Sequence, residues 1–376
     1  MFRLLLAMLL AAGATSAAAQ QPAPPPPAEP PHWAESDTEI AVGPARTAFP
    51  RSAGSMRVTQ TGEASNHGQA IDNVIQYRSS DGELIGTAYI YYPGLPHAGL
   101  SAFATDQGIR ANSRSPVREV RRAVVAAGGV ADAAIRIEYE NYRGGHASSA
   151  AFIKAGRWII KLRVSAPGAR RGEVEANMTA LLNGIRFGAA NPARPAAPIE
   201  VVPCPSGTPQ RDANLLADPP LGELAAQAAL GGMDGGGMDA TEQGRARPLP
   251  SRVPSQLCLS ASPVIRGAPV TILRGAEGEA LSIDGRTRLV AIISDAGEWL
   301  EVVHAPNLGR YVMLYHDLGS TMMLGGYDGV PSDRQVEALL NNPGQNDGGR
   351  IRARVTLRPG RGEQIDINAP PRSPVT

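Results

Sequence analysis

The chain has 376 residues, with 36 basic against 35 acidic side chains and a formal net charge of +1. That length allows two domains of ordinary size. The balanced charge argues against the basic excess typical of nucleic-acid binding, so no nucleic-acid partner is expected.

Only Lys154 and Lys161 are lysines, and Ala, Gly, Pro and Arg are abundant. This composition reads as a GC-rich, bacterial coding sequence. The first 19 residues carry Arg3, an apolar run from Leu4 to Gly13, and Ala17-Ala18-Ala19 before Gln20. That is the pattern of a cleaved secretory signal. The run is shorter than the roughly 20 residues a spanning helix needs. No later segment is apolar enough to cross a bilayer. A periplasmic or secreted protein is expected, with no transmembrane segment after cleavage. Residues 20–35 open with a proline-rich stretch and read as a disordered spacer.

A first domain is expected over residues 36–188. Arg57–Thr61, Asn73–Arg78, Glu83–Tyr92 and Val117–Val125 read as strands, and Leu100–Arg110 as a helix. Arg118, Arg121 and Arg122 fit a solvated strand face. The clearest pattern spans Ala134–Phe187. Trp158, Ile160, Leu162 and Val164 alternate with Ile159, Lys161 and Arg163, which is a half-buried strand. Ile135, Ile137 and Tyr139 alternate with Arg136, Glu138 and Glu140 in the same way. These carboxylates are expected beside Lys161 and Arg163 on one wet face. Val174, Met178, Leu181, Leu182 and Ile185 then follow helical spacing, which predicts a helix packed on the Trp158/Ile160/Leu162 face.

Over about Arg57–Phe187 this order resembles the PsbP-like fold of photosystem extrinsic proteins and bacterial DcrB-type envelope proteins. The strand Ala88–Tyr92, the helix near Leu100–Arg110, the strands to Val164 and the helix Val174–Ile185 carry the resemblance. It implies a binding or assembly role and transfers no functional residue. The expected wet face departs from that fold, which covers both sheet faces with helices.

Residues 189–256 are rich in Pro and Gly and read as a flexible linker, with Gly231–Gly237 at its centre and Leu221–Leu230 as a short helix. Cys204 and Cys258 flank it and are the only cysteines. In an oxidising compartment they form a disulfide. Closing such a loop contributes about 4 kcal/mol in the chain-entropy model.

Residues 257–376 are expected to form a mainly-β domain. Val270–Arg274, Arg288–Ile293, Glu298–His304, Arg310–His316 and Arg350–Leu357 are the strands. Ser332-Asp333-Arg334-Gln335 is a capping box opening one short helix. The overall class is therefore α+β.

With Ala305–Gly309 as a hairpin loop, His304 faces Arg310 and His316 faces Glu298. The two histidines then lie about 20 Å apart, too far to share a metal. His316, Asp317 and Glu298 form a candidate polar site. The same register puts Trp299 opposite Tyr315 and Val303 opposite Tyr311, so Trp299, Tyr311 and Tyr315 form a candidate aromatic binding face. No nucleophile elbow, zincin motif, Walker loop or Rossmann fingerprint occurs. No catalytic residue, metal or cofactor is assigned. The expected function is a non-enzymatic binding or assembly module of the bacterial envelope, with an envelope protein as partner. The alternatives are an envelope hydrolase acting at the domain interface and a small-ligand carrier.

Overall fold

Two large, mainly antiparallel sheets share one helix between them. The structure is a computed structural model that describes residues 32–65, 70–113, 115–205, 210–218, 255–275, 287–342, 351–358 and 362–367. The signal-like segment, the proline-rich stretch, Leu221–Leu230 and Gly231–Gly237 lie outside these residues.

The chain enters through β1 (Trp33–Glu35), β2 (Glu39–Val42) and β3 (Thr47–Pro50), which form a small sheet. Strands β4 (Ser52–Ala53), β5 (Met56–Glu63), β6 (Asp72–Ser79) and β7 (Ile85–Tyr91) then run as a meander. Helix α1 (Ala98–Ala111) crosses over to β8 (Arg118–Ala127), β9 (Val130–Tyr142), β10 (His146–Ala155) and β11 (Trp158–Pro167). The return places β11 against β7, so the eight strands are ordered β4-β5-β6-β7-β11-β10-β9-β8. Helix α2 (Arg171–Gly184) follows, and β12 (Arg186–Phe187) joins the small sheet beside β3.

The alternation in β11 decides which face meets α2. Trp158, Ile160, Leu162 and Val164 share a core with Val174, Met178, Leu181 and Leu182, as the sequence pattern predicts. The opposite face is wet only at one end, where Arg57 and Arg78 are exposed. Ile135, Ile137 and Tyr139 of β9 and Phe152 of β10 pack under Ala98, Ala102 and Ile109 of α1.

The expected meeting of the β9 carboxylates with Lys161 and Arg163 is also overturned. Glu138 pairs with Ser149, and Ser149 with Val164, so Glu138 shares the α2 face. Lys161 and Arg163 point to the α1 face, two strands away. Arg136 instead donates to the Thr179 hydroxyl at 3.0 Å and the Glu175 carbonyl at 3.3 Å, both on α2. Alternating charge reads as solvent exposure only when no second layer covers that face.

The second sheet is ordered β13 (Ile199–Pro203), β14 (Ser255–Ala261), β17 (Thr271–Gly275), β18 (Thr287–Ile292), β19 (Trp299–Ala305), β20 (Arg310–Asp317), β21 (Ser320–Tyr327), β22 (Ala353–Arg358), β23 (Gly362–Ile367). A two-stranded excursion, β15 (Val264–Ile265) and β16 (Ala268–Pro269), precedes β17. Strand β13 falls inside the expected linker. It pairs in parallel with β14, and Cys204 just after it is disulfide-bonded to Cys258 in β14. The strand pairing, from Ile199 with Ser255 to Pro203 with Leu259, is distant in sequence and leaves no local trace there. Helix α3 (Asp333–Asn341) opens with the expected capping box between Ser332 and Gln335. It buries Val336, Leu339 and Leu340 on a sheet face with Ala291, Leu300 and Val302.

The other face of this sheet meets α1. Leu257, Leu273, Val290, Ile292 and Trp299 cluster with Leu95, Leu100 and Ala104. Helix α1 thus offers Ala98, Ala102 and Ile109 to one sheet and Leu100 and Ala104 to the other. A fully buried Leu contributes about 1.5–3 kcal/mol, and Leu100 realises that only when both sheets are present. Residues 32–376 accordingly belong to one compact unit.

Candidate functional site

The junction of the two sheets is where titratable side chains converge. Two clusters form there.

The first gathers around Lys161. The loss of a strand register to solvent would leave this ammonium bare; instead Asp295, in the turn before β19, accepts from its Nζ at 2.6 Å. The Nζ also sits 5.1 Å from the centre of the Tyr89 ring, a cation–π contact. Thr105 of α1 donates to Asp295 Oδ2 at 3.4 Å, and the Tyr91 hydroxyl to the Asp295 carbonyl at 3.4 Å. Elements β7, β11, α1 and the β18–β19 turn therefore meet on one residue, Asp295. Asp72 lies at the rim. Burial raises its pKa, the Glu63 charge raises it further, and Lys161 partly offsets both. Burial, reinforced by the charges of Asp295 and Asp72, pushes the Tyr91 phenol up.

The second cluster surrounds His316. Its Nε2 lies 2.8 Å from Glu301 Oε2, and its Nδ1 lies 3.0 Å from the Thr321 hydroxyl. The other Glu301 oxygen accepts from Thr287. All four side chains are buried, with Glu301 wholly so. Gly94, in the loop after β7, closes over the ring. A Cβ at that position would come within 2.8 Å of both His316 Nδ1 and the Ser320 carbonyl. The order hydroxyl–imidazole–carboxylate is that of a hydrolytic relay. Here the chain is buried, with Gly94 lying over the ring.

This arrangement corrects the expected hairpin register. Ala305 pairs with Arg310, His304 with Tyr311 and Trp299 with His316. The turn is one residue shorter than expected, with Pro306–Leu308 in a 3-10 turn and Gly309 at φ 58°. A one-residue slip moves every side chain to the other face. Glu298 therefore bonds the Tyr315 hydroxyl and not His316. Asp317 is exposed, and its carboxylate accepts from the Leu318 amide in the β20–β21 turn. Glu298 and Asp317 both act on the Tyr315 phenol, while His316 lies on the other face of the sheet.

The aromatic face dissolves for the same reason. Trp299 is buried against α1, its indole donating to the Ser294 carbonyl at 3.2 Å. Tyr311 and Tyr315 lie on the opposite face, where Tyr311 stacks on His304 with centroids 4.7 Å apart. Among the described residues, no group of three or more His, Cys, Asp or Glu side chains is placed to hold a metal ion.

The sequence reading placed Lys161 on a wet face and did not single out Asp295, Asp72, Glu301 or Thr321. One signal was present for Lys161: it is one of two lysines in a chain that otherwise uses arginine. Nothing local marks the others.

No family model matches the chain, and no curated protein matches it. A solved structure from Bacteroides thetaiotaomicron is similar over 50% of this chain and 55% of that one, at 9% identity and a TM-score of 0.25. The match thus spans about half of that protein's length.

Proposed function

We propose that this is a non-enzymatic binding or assembly module of the bacterial envelope, periplasmic or secreted. The observation that carries the reading is the state of His316. The residue best suited to acid–base chemistry is buried beneath Gly94, and its Glu301 and Thr321 partners are buried with it. Its hydrogen bonds join β18, β19, β20 and β21 within the second sheet, while the Lys161–Asp295 pair bridges the two sheets. The secretory pattern of residues 1–19 and the Cys204–Cys258 bridge favour the extracytoplasmic location. Among the described residues no helix is long and apolar enough to cross a membrane. A PsbP-like first half fits the same reading, supported by helices on both faces of the eight-stranded sheet.

A hydrolase is the second reading, favoured by the Thr321–His316–Glu301 order. It requires Gly94 to lift away before any substrate could reach the imidazole. The deciding experiment is in-cell crosslinking and affinity capture of the mature protein from the envelope fraction. One stoichiometric protein partner is expected. Recovery of the uncrosslinked monomer alone, together with ester or amide hydrolysis abolished by His316→Ala, would replace this reading with the hydrolase.

A further inference from the structure

Most arginines of the first sheet are neutralised. Arg118 and Arg171 pair with Glu140, Arg121 and Arg136 with Glu138, Arg122 with Glu119, and Arg170 with Asp81, Glu83 and Glu173. Arg57, Arg78, Arg143 and Arg163 differ. Among the described residues, no carboxylate lies within ion-pair distance of any of them.

The sheet register brings these four to one end of one face. Arg57 pairs directly with Arg78, Arg78 with Ile85, and Ile85 with Ser165. Ser165 pairs with Ser148, and the irregularity between His146 and Ser148 turns Tyr142 onto the same face. The Tyr142 ring lies 4.2 Å from the Arg163 guanidinium carbon and 5.3 Å from that of Arg143. The row from β5 to β9 crosses five strand spacings, about 24 Å. This is the α1 side of the sheet, where α1 packs on β9 and β10 with Phe152 and Tyr142 and leaves Arg57 and Arg78 on β5 and β6 exposed. Arg57, Arg78, Arg143 and His146 are exposed, and Arg163 is half-buried.

We propose that this face binds an acidic, Asp/Glu-rich segment of a partner protein. The proposal rests on the binding reading above and names the chemistry of the partner. Four guanidinium groups without carboxylates form a concentrated positive field, and arginine's planar fork suits carboxylates held in pairs. Arg163 is recessed beside Tyr142, with the Ser148 hydroxyl 3.5 Å from its Nε. The half-buried Arg163 is set back from the exposed Arg57, Arg78 and Arg143, a stepped arrangement that suits side-chain carboxylates better than a flat bilayer surface. Ile85, 44% exposed, is the one large apolar side chain standing out on this row. That gives a lipid surface little to take up.

The test uses the full mature protein and a fluorescent deca-glutamate peptide, with deca-glutamine and phosphatidylglycerol vesicles as comparisons. Saturable, salt-sensitive binding of deca-glutamate is expected. R57Q/R78Q/R163Q should weaken it about tenfold, the sum of three partly exposed charge pairs. R118Q/R121Q/R122Q, on the edge strand, should leave it unchanged. If R163Q impairs folding, R57Q/R78Q serves, since both side chains are exposed. Equal loss in both variant sets, absence of binding at low salt, or tighter binding to the vesicles would overturn the proposal. A captured envelope partner whose crosslinks map away from Arg57 and Arg78 would also overturn it, while leaving the binding reading intact.

Discussion

Lys161 and Asp295 are 134 residues apart in sequence and form an ion pair at 2.6 Å across the two sheets. The lysine side chain is 11% exposed and the aspartate 45%. Removing one partner strands the other where water reaches it only in part. Lys161→Met or Asp295→Asn should each destabilise the protein by about 1–2 kcal/mol, below the cost for a fully buried pair because Asp295 stays half-solvated. Urea unfolding of both singles and the double would check this. The double should cost less than the sum of the singles.

Asp72 makes stability depend on pH in a definite direction. Its folded pKa is raised above the ordinary 3.8 by burial first and by Glu63 second. The folded state therefore holds this proton more tightly than the unfolded state. The stabilising contribution is fully present below 3.8 and is lost as pH rises through the raised value. At neutral pH the ionised carboxylate is a burden on the fold. Asp72→Asn should raise the melting temperature at pH 7 and should give no gain at pH 3. A loss at pH 7 would mean that its attraction to Lys161 outweighs the burial.

The His316 chain should behave as structure. His316→Ala leaves the wholly buried Glu301 without its imidazole partner, for an expected cost of about 3–5 kcal/mol. Gly94→Ala should also destabilise, because its Cβ would meet the Ser320 carbonyl at 2.8 Å. Asp317→Ala, which loses only a turn contact, should cost less than about 1 kcal/mol. Thermal denaturation of the three variants separates these outcomes.

The disulfide joins strands that are neighbours in space and 54 residues apart in sequence. Denatured, non-reduced protein should titrate with no thiol. Cys204→Ser/Cys258→Ser should lose about 4 kcal/mol, or less if the unfolded chain keeps residual structure.

Local rules carried far in some segments of this sequence and failed in others. Strand β11 was legible because Trp158, Ile160, Leu162 and Val164 alternate without interruption, and α2 because Val174, Met178 and Leu181 keep helical spacing. The Ser332–Gln335 capping box and the cysteine pair were legible for similar reasons. The candidate site was not. Its members come from β6, β7, α1, β11 and the β18–β19 turn, and only tertiary packing brings them together. The β19–β20 hairpin was recognised, but one residue in its turn reversed both faces. That slip moved His316 from Glu298 to Glu301 and sent Trp299 from a surface to a core. Lys161 was placed on a wet face because its alternation cannot reveal the second sheet that supplies Asp295, whereas Arg163 is half-buried at the end of that face.

The central claim is that the two sheets are one cooperative structure, with α1 and the polar junction committed to holding it together. Trp158 reports on the first sheet and Trp299 on the second, and both are buried. Urea unfolding followed by fluorescence of Trp33→Phe/Trp299→Phe and of Trp33→Phe/Trp158→Phe, each corrected for its own stability by circular dichroism, reads the two sheets separately. In each variant, fluorescence and circular dichroism should give the same midpoint in a single transition. A first sheet that unfolds at a different urea concentration from the second would contradict the claim and return the junction to the candidates for a functional cleft.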